Sequence, residues 1–230
     1  MAPSKSSAYS TINEMNEHKT SGKIKARVSR LWEVTNPYVA GQLICIDMVL
    51  MDEEGGYVHA TIYDNSLIER FRSSLTEGDV YVMNHFAIEP NKSLYRVVSD
   101  SKIMLKFQFS TYIKKITSES CTIPRHRFDF VSFKTLEQRQ LKPEVLTDVY
   151  GVLVNESVDK DSTAIEIREK SENIIKLKLW RQFSVDYSEQ MKEHRGQCNI
   201  IIVVTSTLVK GYNIGKHFCL PSYRYYSLDF

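Results

Sequence analysis

The chain has 230 residues, 42% of them apolar and 25% charged, the balance of an ordinary globular protein rather than a low-complexity one. With 30 Lys and Arg against 28 Asp and Glu, the net charge is +2. That excludes the strongly basic surface of a domain that grips polyanions by charge alone. Cys45, Cys121, Cys198 and Cys219 are far apart and form no CxxC pair. No zinc site is expected, the compartment reads as reducing, and Cys45 and Cys198 read as small buried thiols.

Residues 1–22 are polar and aperiodic and are expected to form a tail that is disordered or loosely docked. From Lys23 the pattern alternates, with Ile24, Ala26 and Val28 on one side and Lys25, Arg27 and Ser29 on the other. A half-buried strand with a basic outer face reads this way and opens a first domain over 23–115. LICIDMVLMD is apolar but too short to cross a membrane as a helix, and no leader or membrane partner is expected. EEGG turns the chain and GYVHATIY returns as a strand. In SLIERFRSSL, Leu67, Ile68, Phe71 and Leu75 fall on one helical face, with Asn65 or Ser66 as the N-cap. VYVMNHFAI is a fourth strand, EPNKS a turn and LYRVV a fifth strand.

Residues 116–143 lack strand alternation, contain Pro124 and Pro143, and read as a linker in which FDFVSF makes some local contact. DVYGVLV opens a second domain over 144–230. Its elements repeat the first set: Thr163–Arg168, the turn EKSEN, Ile174–Trp180, the helical DYSEQMKEHRGQ, then Cys198–Leu208. Three strands, a helix and two strands, twice over, predict an all-β protein with short helices, built as two tandem OB-fold barrels. Charge does not separate them. Residues 23–115 hold 12 Lys and Arg against 11 Asp and Glu, and residues 140–230 hold 12 against 12.

No reaction centre is legible. There is no P-loop, GxSxG or HExxH, the six histidines are isolated, and Glu53-Glu54 is an acidic turn. Asp47 and Asp52 read as strand and turn residues rather than as a two-metal site. An enzyme is not expected, nor a cofactor or metal.

The stretch IKARVSRLWE…DMVLMDEEGGYVHATIYDNSLIERF…EGDVYVMNHFAIEPNKSLYRVV resembles the first DNA-binding barrel of the replication protein A large subunit, and its plant-type relatives above all. DVYGVLV…IIKLKLWRQF…TSTLVKGYNIGKHFCL resembles the second. The likeness covers residues 23–230 and implies a tandem OB-fold region that binds single-stranded DNA in replication, repair and recombination, in the nucleus. It implies subunits of a replication protein A-like complex as partners.

The family stacks bases on a pair of aromatics in each barrel. By resemblance these are Trp180 and Tyr212 in the second barrel and Tyr95 in the first, where the earlier aromatic position falls at about Ile46, which cannot stack. Trp32 or Phe86 would then have to substitute, although Trp32 also reads as a core residue. Strand binders pair such platforms with backbone-tracking cations. Lys25, Arg27, Arg30, Arg96, Lys176, Lys178 and Lys210 are the candidates, lying near those aromatics or on the first strand.

Two alternatives stay open. An OB-fold can serve as a protein-interaction module, which near-neutral charge and Ile46 favour. Stacking also does not distinguish DNA from single-stranded RNA, or a telomeric strand from any other.

Overall fold

The structure, a computed structural model, describes residues 9–16, 22–36, 38–39, 41–91, 96–98, 101–117, 122–136, 138, 145–194, 196–212, 216–221 and 225–227, the last three stretches from 210 onward by backbone alone. The chain divides into two units. Met1–Ser93 and Asp100–Arg127 form the first, and Leu94–Ser99 and Phe128–Phe230 form the second. Among the described residues no helix is long and apolar enough to cross a membrane.

In the first unit the strands are β1 (Ile24–Thr35), β2 (Leu43–Met51), β3 (Tyr57–Ile62), β4 (Val80–Asn84), β5 (Ala87–Pro90), β6 (Ile103–Lys106) and β7 (Tyr112–Ile116), in the order β5-β6-β3-β2-β1-β4-β7. Period-2 alternation sends Ile24, Ala26, Val28, Ile46, Met48, Leu50, Val58, Ala60 and Ile62 into one core. β1 serves two partners. Its start pairs with β4, its remainder with β2, and the register shifts between Val28 and Arg30. The sheet curls into a barrel because the fourth strand bends. β4 lies on β1, the chain turns at His85 (φ 57°), and β5 continues onto β6, which runs parallel to β3.

Helix α1 (Asn65–Arg72) follows β3 and buries Leu67, Ile68 and Phe71. Its cap is Asp64 rather than Asn65 or Ser66. The Asp64 carboxylate accepts from the N–H groups of Ser66 and Leu67, and these bonds together with the Ser66 hydroxyl lower its pKa.

One expectation fails here, and one left open is decided. The fifth barrel strand is IMLK, not LYRVV. Arg96–Val98 fall in the second unit, where the Arg96 carbonyl accepts from Leu146 N–H at 3.0 Å. Residues 9–16 are docked and not disordered. Ile12 and Met15 are buried in the core, and Ile12 N–H donates to Asp52 Oδ2 at 2.6 Å.

The second unit repeats the plan with β8 (Thr147–Val158), β9 (Ser162–Arg168), β10 (Ile174–Trp180), α2 (Gln182–Glu193), β11 (Ile201–Tyr212), β12 (Lys216–Pro221) and β13 (Tyr225–Ser227). β10 and β12 run parallel, and β11 pairs with both β8 and β12, which closes five strands into a ring. Here the bend falls at Ser206 (φ 56°), the counterpart of His85. Buried Asp148 holds it, accepting from Ser206 N–H at 2.8 Å and from Asp129 N–H at 3.0 Å. Helix α2 starts four residues earlier than DYSEQMKEHRGQ suggests and docks Tyr187, whose hydroxyl donates to Glu156 at 2.7 Å. Cys198 is exposed and precedes β11, so its reading as a buried thiol fails, while Cys45 is buried as expected.

Candidate nucleic-acid interface

On β10 the alternation is complete. Ile175, Leu177 and Leu179 are buried, whereas Lys176 and Lys178 are half-buried on the other face. Trp180 ends this row with 43% of its surface exposed. It is fixed by pairing with Ser162, and the next residue, Arg181 (φ 50°), donates its N–H to the Asp161 carbonyl at 2.9 Å before the chain enters α2. Lys178 Nζ stands 4.3 Å from the indole centroid. A cation over an aromatic face is a favourable pair, and it covers one side of the ring only. Lys176 lies opposite Glu166 on β9 and Phe218 on β12. The surface therefore offers an aromatic platform flanked by two ammonium groups and one acid.

The first unit carries a residue at the same topological place. Tyr63 directly follows β3, as Trp180 ends β10, and each is followed by the helix. Tyr63 is 51% exposed. Burial, then Cys45 and Asp47, raise its pKa. The Cys45 thiol is itself pushed up to about 12, by burial and then by the Asp47 carboxylate.

Tyr63 is not among the sequence candidates, because the resemblance puts the earlier aromatic position of the first barrel at about Ile46. Ile46 at 3% exposure and Phe86 at 1% point into the core, and Trp32 at 6% is covered on the other face by its stacking on His59, so none of the three is available to a ligand. The signal was available in the aligned endings HATIY and KLKLW.

The basic candidates separate. Arg27 is already engaged. Its Nε and Nη2 donate to the Ile123 carbonyl at 3.1 and 2.8 Å, and Nη1 donates to the Gly78 carbonyl. It clamps the chain that leaves β7 against the barrel, beside the packing of Ile123 on Met51 and Val80. Lys25 pairs with Glu53, and Arg30 donates to the Arg127 carbonyl at 3.3 Å. Arg96 is half-buried in the second unit. Lys210 lies opposite Phe218 in register, and Tyr212 is the last residue of β11, opposite Lys216. The side chains of Lys210 and Tyr212, and all of Tyr95, lie outside the described residues. An aromatic ladder that the sequence did not single out, Phe128–Phe130–Tyr150, stands on the second unit with centroid spacings of 5.0 and 4.7 Å.

The chain is similar to a 70 kDa DNA-binding subunit of replication protein A from Arabidopsis thaliana, with 25% identity over 186 residues, covering 75% of this chain and 23% of that protein. It is also similar to a 70 kDa DNA-binding subunit of replication protein A from Oryza sativa subsp. japonica, with 23% identity over 185 residues, 75% of this chain and 27% of that protein. It thus spans about a quarter of each relative. Among solved structures, a replication protein A heterotrimer bound to ssDNA shares the fold, with a TM-score of 0.57 and 18% identity, over 93% of this chain and 52% of that one. The resemblance to the replication protein A large subunit and the OB-fold architecture both stand. A family profile, "Domain of unknown function DUF223", matches residues 13–138, more than half of the chain, and the protein belongs to that family.

Proposed function

We propose that the protein binds single-stranded DNA non-enzymatically along its two OB-folds, in the nucleus, during replication, repair or recombination. The observation that carries this reading is the repeated exposed aromatic at the end of the third barrel strand, Trp180 in one unit and Tyr63 in the other. Each would stack a base, and Lys176 and Lys178 would pair with phosphates beside Trp180. Arg27 is left out of the contact set because its guanidinium is already occupied. Two modest modules on one chain reach useful affinity through effective concentration, and together they would cover roughly 8–20 nucleotides. Subunits of a replication protein A-like complex are the partners expected on the same reading, which draws on the heterotrimer whose fold it shares.

The test is fluorescence anisotropy with a labelled oligo(dT) of about 30 nucleotides, long enough for both folds, over a salt series and with duplex as competitor. Salt-sensitive binding that duplex does not displace supports the proposal. No binding at micromolar protein in low salt refutes it and turns the search toward a protein ligand.

A further inference from the structure

The outer face of the first unit is chemically unlike that of the second. Register places Trp32 opposite Asp47, and Asp47 opposite Thr61, across β1, β2 and β3. The Thr61 hydroxyl donates to Asp47 Oδ1 at 2.6 Å, and the Cys45 thiol approaches the same oxygen at 3.5 Å. His59, with a side chain 3% exposed, stacks on Trp32 and faces Asp47 Oδ2 at 3.4 Å. Among the described residues, neither His59 ring nitrogen has a hydrogen-bond partner. The Asp47 side chain keeps 13% of its surface, and the exposed Tyr63 stands next to it through Cys45.

A carboxylate here is poorly suited to a phosphate-tracking role, because it repels the backbone. It is well suited to the edge of a base, since carboxylates accept from exocyclic amino groups such as cytosine N4. Oδ1 is held by Thr61 and Cys45, which fixes the carboxylate plane, and Oδ2 lies 3.4 Å from His59 Nε2. The His59 imidazole contacts Oδ2 without hydrogen-bond geometry, so Oδ2 keeps acceptor capacity for an incoming donor.

We propose that Asp47 reads the amino group of a base stacked on Tyr63, so that the first barrel prefers amino-bearing bases to thymine and uracil. This deepens, and rests on, the strand-binding reading.

Oligo(dC) and oligo(dU) of about 30 nucleotides suit the test, being of equal length, able to span both folds and different at ring position 4. The whole chain at pH 7.5 is expected to bind the dC strand about 5- to 10-fold more tightly, the scale of one base-edge contact. In Asp47→Asn the amide can donate to O4, and the ratio is expected to fall to unity or invert while the melting temperature holds. Equal affinity of the wild-type chain for both strands overturns the proposal and leaves strand binding intact, whether or not the variant folds. A dC preference that persists in folded Asp47→Asn also overturns it. Binding of neither strand overturns both readings together.

Discussion

Removing the Trp180 ring tests the stacking platform directly. Trp180 is 43% exposed and lies outside the buried core, so Trp180→Ala removes little packing and the fold should persist. A stacked base is worth about 1–3 kcal/mol by alanine substitution. At 1.4 kcal/mol per tenfold, the dissociation constant should rise about 5- to 150-fold. Lys178, 4.3 Å from the ring, holds one face and gains nothing from the change, so the loss should fall toward the upper half of that range. Trp180→Phe should recover most of it. Tyr63→Ala should weaken binding by a similar factor, and the double variant should show the sum in free energy, since the sites share no residues. Anisotropy with oligo(dT) at fixed salt reads the affinities, and a thermal melt checks the fold. An unchanged dissociation constant in a folded Trp180→Ala chain would refute the platform. A loss confined to Trp180→Ala would leave Tyr63 without a role in the strand.

Lys176→Ala and Lys178→Ala should each lower the slope of log K against log salt by roughly one unit if each meets a phosphate. Arg27→Ala should leave that slope alone and instead lower the unfolding free energy by about 1–3 kcal/mol, through loss of the Ile123 and Gly78 bonds. Gly151→Ala would place a Cβ 2.8 Å from the Arg168 carbonyl oxygen, inside van der Waals contact with backbone. A loss of about 1–3 kcal/mol is expected in urea unfolding, the range for overpacking. The Cys45 thiol lies above its ordinary 9.0, at about 12. The folded state therefore keeps its proton where the unfolded state releases it, so this contribution is intact below pH 9 and is lost as pH rises toward 12. Cys45→Ala should flatten that limb of the stability profile, and iodoacetamide at pH 8 should modify exposed Cys198 well before Cys45.

Local periodicity made the order of elements readable, and it placed Trp180 correctly among Lys176 and Lys178 because a strand obeys a period of two. What it could not supply was pairing at a distance. LYRVV and IMLK are equally good short strands; IMLK completes the barrel because it can lie parallel to β3, a contact about 45 residues away that no window sees. The docking of residues 9–16 has the same cause. Asp52 is an ordinary turn acid until its second oxygen is seen to hold Ile12 N–H. Ile46, the position that the resemblance offered and that cannot stack, turns inward because of the pairing of β2 with β1 and β3, which no local window shows.

The two units share a scaffold down to the residue that bends the fourth strand, His85 in one and Ser206 in the other. They differ in what the third strand shows to solvent. β10 offers Lys176, Lys178 and Trp180, a surface for phosphates and any base. On β3 His59 and Thr61 are buried against the Asp47 carboxylate, and Tyr63, which follows the strand, is the exposed residue, a surface that works against phosphates and suits base edges. With 12 basic against 11 acidic residues in one span and 12 against 12 in the other, net charge cannot produce that contrast; only the placement of side chains on the outer face can. If both surfaces meet one strand, the second unit supplies the salt-dependent hold and the first supplies the discrimination. The two contributions should then separate cleanly. Lys178→Ala should change the salt slope at constant base preference, and Asp47→Asn should change base preference at constant salt slope.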